Sequence, residues 1–456
     1  MLMGSFNSSH HQRIVPQQQE DQDHPQIHAD LQLYNQHHRH HPQYQIPQPP
    51  LLMSRGLTAR QLLIRCAELI SQLDFSSAQG LISILASSNY SPHGDSTERL
   101  VHQFVRALSL RLPPVVAAPP DMARVAAATG TSAASTSSAL SLEVETEAEE
   151  ETLQSCYLTL NQITPFIRFS HLTANQAILE AIDSSHHAIH ILDFDIKHGV
   201  QWPPLMQALV ERSYGSSSSP PPLLRITATG RDLTLLRRTG ERLLRFAQSL
   251  GLTFHFRPIV LLNDVAMIDY LNPASLGLFP NEALAVNCVL YLHRLLTDDA
   301  RDLHLFLDKI RALNPKIVTV AEREANHNSP MFLNRFVEAV DHYGAVFGSL
   351  EATLPPNSRE RLAVEQMWFG REIADVVAAD DDQGRKQLRH ERYENWEMMM
   401  RRSGFSNVPL SPFALSQAKL LLRLHYPSEG YQLHSLKDSF FLGWMNRPLF
   451  SVSSWN

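Results

Sequence analysis

Two carboxylates close an apolar run. Residues 188–194 read AIHILDF, and Asp195 follows, leading into Ile196-Lys197-His198-Gly199-Val200-Gln201-Trp202. Carboxylates at the end of such a run are the obvious candidates for ligand contact, with a dinucleotide or a methyl donor as the ligand. Asp193, Asp195, Gly199, Gln201 and Trp202 are therefore candidate crevice residues. The plainer use of the two aspartates is to cap the following turn and accept its backbone N–H groups. A nucleotide or methyl-donor site wants a glycine-rich loop, so that the backbone can approach the ligand closely. This loop has one glycine among bulky side chains, so the plainer use is preferred and no cofactor is expected.

Other chemistry finds less support. No G-x-S-x-G elbow, Walker lysine loop or H-E-x-x-H helix occurs. Cys66, Cys156 and Cys288 lie far apart in apolar surroundings, which excludes a C-x-x-C zinc or redox motif and predicts buried free thiols. The histidines of 1–54 have no fixed spacing, so no metal site is expected. Arg238, Arg242 and Arg245 share one helical face near Arg231 and Arg237, and Arg385, Arg389 and Arg392 repeat the spacing. Either stripe could neutralise phosphates. Interleaved Glu241, Glu391 and Glu394 favour an ordinary solvated face. Leu292, Leu295 and Leu296 form an L-x-x-L-L docking pattern, although such leucines more often pack a core. Trp396, Trp444 and Trp455 read as packing residues of the C-terminal region.

The elements that must position these residues follow from pattern. An apolar run without alternation suits a parallel strand covered on both faces, and the Pro203-Pro204 pair opening the next apolar set suits a first helical turn. Strand, tight turn and helix then place the aspartates where open α/β sheets usually bind ligands. Further strands at 223–229, 252–258, 283–290 and 316–321 alternate with helices at 232–251, 298–313 and 331–350, which predicts a doubly wound parallel sheet. Upstream, a capping box at Thr58-x-x-Gln61 starts the first of three amphipathic helices, and Asp95-x-x-Glu98 starts the third. They make a small bundle, either a cap or a dimer surface. Helical pattern returns at 153–169 and after Thr173. Beyond Gly430, YQLH, SFFLGW and PLFSVSSW read as antiparallel strands. The expected fold is α/β, Rossmann-like and methyltransferase-like, with antiparallel C-terminal strands and an N-terminal helical cap. Residues 1–54, rich in His, Gln and Pro, and 113–151, rich in Ala, Ser and then Glu, are expected to be disordered.

The 456 residues carry a formal charge of −7, which argues against a constitutively basic nucleic-acid binder. No apolar stretch is long enough to span a membrane, and the first residues lack the apolar core of a signal peptide. A reducing compartment is expected.

IHILDFD followed by HGVQWPPLMQAL resembles the VHIID motif of the GRAS family, plant transcriptional regulators. Ile189, His190, Ile191, Leu192 and Asp193 occupy the named positions, with leucine in place of the second isoleucine. On this resemblance 55–456 is a GRAS domain. Its first leucine-rich region falls at 58–112, the VHIID region at 152–230 and the second leucine-rich region at 239–271. A PFYRE region at 284–378 includes the Arg371-Glu372 pair. A SAW region at 381–456 includes Trp396, Gly404, Trp444, Ser453, Ser454 and Trp455. LTANQAILEAI, NCVLYLHRLL and LLLRLHYPSEGY look most like the LATERAL SUPPRESSOR branch. The resemblance implies a nuclear, non-enzymatic co-regulator of axillary meristem initiation and shoot branching. Its partners would be zinc-finger transcription factors, other GRAS-type regulators or a second copy, with DNA reached mainly through them. Direct DNA recognition is the rival reading, and a small-molecule methyltransferase the weaker one.

Overall fold

The computed structural model describes residues 54–88, 90–112, 152–183, 185–215, 220–261, 263–378 and 388–456. The expectations for 1–53, for 113–151 and for Arg385 lie outside the described residues.

Three helices come first: α1 (Ser54–Ser71), α2 (Phe75–Ser87) and α3 (Ser96–Arg111). Because α1 begins at Ser54, Thr58 lies inside it and is not the N-cap that the capping pattern suggested. The third start is as read: the Asp95 carboxylate accepts from the Glu98 N–H at 2.9 Å. The next helical stretch breaks earlier than its periodicity implied. Helix α4 covers 152–163, Thr164 is extended, and α5 (Pro165–Ala181) starts on a proline that has no N–H to continue the ladder.

The sheet then alternates with helices. Strands β1 (Ala188–Asp193), β2 (Leu223–Gly230), β3 (Phe254–Val260), β4 (Ala283–Val289) and β5 (Ile317–Arg323) are parallel, in the order β3-β2-β1-β4-β5. Helix α6 (Trp202–Gly215) follows β1, α7 (Leu233–Ser249) follows β2, α8 (Arg301–Ala312) follows β4 and α9 (Phe332–Thr353) follows β5. Asp232 caps α7 through the N–H groups of Thr234 and Leu235, and Gly251 turns the chain just past its end at φ +67°. A π-helical stretch, Val364–Phe369, leads into α10 (Gly370–Val377), and α11 (Tyr393–Arg402) follows. The finish comprises β6 (Asn407–Val408), α12 (Pro412–His425), β7 (Tyr431–Leu436), β8 (Ser439–Trp444) and β9 (Arg447–Trp455). Strand β9 lies antiparallel against β5, and β8 then β7 continue to the far edge.

Both faces of the sheet are covered. Ile189 and Ile191 of β1 join one core, shared with the cap helices, α5, α6, α9 and α12, while Leu192 and Phe194 join a second beneath α8 and α11. This explains why β1 reads as an unbroken apolar run. The three-helix bundle is fastened to the core by polar pairs as well as packing. Arg60 grips Asp341 at 2.8 and 3.0 Å, and buried Arg99 grips buried Glu365 at 2.6 and 3.0 Å. Such a bidentate pair is directional and costly to break from one side.

Candidate functional site

The sheet order reverses between β1 and β4, so the crevice at their carboxyl ends is the place where such a fold usually takes a ligand. The register sets Asp193, the last residue of β1, beside Asn287 of β4. Here the chain fills the crevice with its own side chains. The fully buried Trp202 indole donates to Asp193 Oδ2 at 2.8 Å. Gln201 exchanges two bonds with Asn287, its Nε2 donating to Oδ1 at 3.0 Å and its Oε1 accepting from Nδ2 at 3.1 Å. It also donates to Asn175 of α5 at 3.1 Å, whose amide returns a 2.7 Å bond to the Gln201 carbonyl. Thr319 of β5 donates to Asn287 Oδ1 at 3.0 Å. Burial alone would make these amides costly; mutual pairing removes that cost. Burial pushes the Asp193 carboxyl up to about 7, against the Trp202 hydrogen bond.

Asp195 lies at the mouth and is used differently. It accepts from Arg294 at 2.7 Å and faces Lys197 Nζ at 3.4 Å. These cations outweigh the burial that would raise it, and hold the carboxyl below its ordinary range. Lys197 lies over the rings of Tyr157 at 4.6 Å and Trp368 at 5.0 Å, and burial lowers its ammonium. The aspartates were expected to accept backbone N–H groups from the turn. Instead their main partners are side chains; the one backbone contact, from Asp195 N–H to Asp193, is 3.4 Å long.

The loop between β1 and α6 is closed from the side by α7. Thr239 donates to the Lys197 carbonyl at 2.9 Å, and Arg242 donates to the His198 carbonyl at 2.5 Å. Gly199 adopts φ +61°, and a Cβ there would come within 2.8 Å of the Thr239 methyl group. One glycine is therefore needed for a close helix approach, and the backbone is offered to α7 rather than to a phosphate.

The remaining candidates scatter. Ile189, His190, Ile191 and Leu192 are buried in β1, with His190 Nε2 2.8 Å from Thr227 Oγ1. Leu292 and Leu295 are buried in a 3-10 turn of the second core and Leu296 just past it, so the docking candidate is corrected in favour of the core reading that the sequence preferred: no leucine of it is free to enter a groove. Arg238, Arg242 and Arg245 are exposed along α7. Arg389 and Arg392 precede α11 rather than riding on a helix, and pair with Asp298 at 2.6 Å and Glu338 at 2.9 Å. The described part of the second stripe, Arg389 and Arg392, is therefore corrected to ion pairs.

Of the Arg371-Glu372 pair, Arg371 is exposed, while Glu372 binds Arg323 at 2.5 Å and accepts from Tyr343 at 3.2 Å. Trp396 and Trp455 are buried, their N–H groups donating to the Glu391 carbonyl at 3.0 Å and Ser453 Oγ at 2.9 Å. Ser454 donates to the Val408 carbonyl at 2.8 Å, Trp444 packs edge-on to Tyr431, and Gly404 is exposed at φ +82°. All three cysteines are buried, and burial pushes the Cys66 thiol up to about 11 and Cys288 well above its ordinary value.

Two groupings escaped the sequence reading. The amides Asn175 and Asn287 come from segments more than a hundred residues apart. A histidine cluster joins His293, His327, His342 and His390, with His327 Nδ1 2.9 Å from His390 Nδ1 and His293 Nδ1 2.9 Å from Glu322. Burial lowers His327 to about 3, and takes His342 and His390 well below the ordinary value. Among the described residues no group of three or more His, Cys, Asp or Glu side chains is arranged to hold a metal ion. Nor is any described helix long and apolar enough to cross a membrane.

Comparison with known proteins agrees with this architecture. The family model for the GRAS domain family matches residues 59–456. Scarecrow-like protein 18 of Arabidopsis thaliana is 55% identical over 410 residues, covering 87% of this chain and 91% of that protein. Protein MONOCULM 1 of Oryza sativa subsp. japonica is 42% identical over 419 residues, covering 87% and 88%. A crystal structure of SCL7 from Oryza sativa superposes with a TM-score of 0.69 at 31% identity, covering 87% of this chain and 99% of that one.

Proposed function

Because the chain belongs to the GRAS domain family, we propose that it is a plant transcriptional regulator that works as a non-enzymatic scaffold in the nucleus. Its role is the initiation of axillary meristems and shoot branching, and its partners are DNA-binding factors of the zinc-finger type and other GRAS-type regulators. A homodimer is compatible with this role. The observation that carries the non-enzymatic reading is the filled crevice: Trp202, Gln201, Asn287 and Asn175 satisfy one another where a cofactor would otherwise sit. A methyl donor is accordingly expected to give no heat of binding by calorimetry. A stoichiometric signal at micromolar affinity would sink the reading.

The exposed row Arg238, Arg242 and Arg245 favours a second reading, direct contact with DNA phosphates. The two separate in one experiment: selection from random duplex DNA by the full chain, at two salt concentrations, with and without a zinc-finger partner. Enrichment of one motif only with the partner supports the scaffold. Enrichment by the chain alone, lost on Arg238→Glu with Arg242→Glu, supports direct recognition.

A further inference from the structure

The nine-stranded sheet ends in two very different margins. At one, β3 carries exposed Arg257 and Pro258, whose ring removes an N–H, and α7 packs along it. Charge and proline are the usual means of blunting an edge. At the other, β7 reads Tyr431-Gln432-Leu433-His434-Ser435-Leu436, with neither a proline nor a carboxylate, lysine or arginine. All six residues pair with β8 on one side, and no described strand pairs with the other. Beside this margin runs a groove of about 440 Å³, floored by Leu422, Tyr431 and Leu433 and rimmed by Lys419 and Arg423. No carboxylate lines it; Glu429, on the loop between α12 and β7, does not reach the lining. Every lysine or arginine on α12 belongs to this rim, and α12 has no acidic residue. In a chain of formal charge −7, this is a local cationic patch.

We propose that the free margin of β7, with the groove against α12, takes up an extended acidic peptide with interspersed apolar side chains as an added strand. This deepens the scaffold reading and rests on it. The strand's backbone N–H and C=O groups supply the hydrogen bonds, as in strand addition generally. Leu422 and Leu433 receive apolar side chains, and Lys419 and Arg423 select carboxylates and steer the approach. Leu420, Leu424 and Leu436, each more than two-fifths exposed, leave apolar surface on the same two elements.

The test uses the full chain and two octapeptides of equal strand preference, one alternating valine and glutamate, the other valine and lysine. The glutamate peptide is expected to bind at least ten-fold more tightly at low salt, and to slow amide exchange within 431–436. Lys419→Glu with Arg423→Glu should reverse the preference, an outcome that simple misfolding does not produce. Of His434→Pro and Ser435→Pro, the one at the position whose N–H faces outward should abolish binding, since adjacent amides alternate. Equal binding of both peptides, protection confined to another region, or an edge occupied by a second copy that neither peptide displaces would overturn the proposal. Partner-dependent DNA enrichment is read separately. If it persists while the peptides fail, the edge inference falls and the scaffold stands.

Discussion

The crevice between β1 and β4 and the margin of β7 are opposite answers to one problem, what to do with polar groups at the boundary of a sheet. In the crevice every amide, indole and carboxylate named above has an internal partner, and Trp202 and Asn287 are almost wholly enclosed. On the outer side of β7 a row of backbone groups has no described strand beside it. The first arrangement spends the fold's usual ligand position on stability. The second leaves an unmatched surface where a partner can add without disturbing the core. The proposed strand addition would place recognition at the rim of the sheet.

The largest effect expected from breaking this contrast comes from Trp202→Ala. It empties the crevice and strips Asp193 of its donor, at a cost of about 3–5 kcal/mol by urea unfolding. A loss below about 1 kcal/mol would mean that the crevice is not packed as described.

Acid should come next. His171, His190 and His327 are lowered to about 3 by burial, and His342 and His390 well below their ordinary value. The folded chain keeps them neutral, while the unfolded chain binds protons below about pH 6.5, so each removes up to about 1.4 kcal/mol per pH unit below that point. Asp193 and Glu324, raised by burial to about 7, act in the opposite sense. Between about pH 7 and 4 the folded chain holds protons there that the unfolded chain releases, which adds stability as pH falls. Burial also lowers His102 and His198 and raises Glu365, so seven histidines oppose three carboxylates and the urea midpoint should fall between pH 6.5 and 4. Asp193→Asn should leave stability at pH 7 within about 1 kcal/mol of its starting value and steepen the acid limb. A midpoint that rises as pH falls across this range would show that the buried histidines are charged in the folded chain and leave only the carboxylates to act. At the margin the change should be smallest: Lys419→Glu with Arg423→Glu alters two exposed side chains and should shift stability by no more than about 0.5 kcal/mol. A larger loss would make the groove part of the core.

Much of the fold was legible. The unbroken run at 188–194, the caps at Asp95 and Asp232 and the stop at Gly251 are local signals, and each acts locally in the structure. The missing glycine loop after β1 was also readable, and the tight approach of α7 at Gly199 gives its physical reason. Errors arose where a local pattern has two outcomes. Thr58-x-x-Gln61 looks the same inside a helix as at its start. Leu292-x-x-Leu295-Leu296 looks the same in a core as on a docking helix, and there the core reading preferred from the sequence is the one the structure has. The spacing of Arg389 and Arg392 implied a helix that starts only at Tyr393.

By itself the sequence determined the order of strands and helices, the buried character of β1 and the kinship with the GRAS domain family, because periodicity, capping and motif order are properties of short stretches. The tertiary structure alone decided what closes the crevice. Asn175, Gln201, Asn287 and Thr319 are spread over 145 positions of chain, and no local pattern marks them as mutual partners. It also decided which margin stays open. Any strand of the sheet can pair on two sides, and only the order of β3 and β7 at its ends leaves one side of each without a described strand beside it.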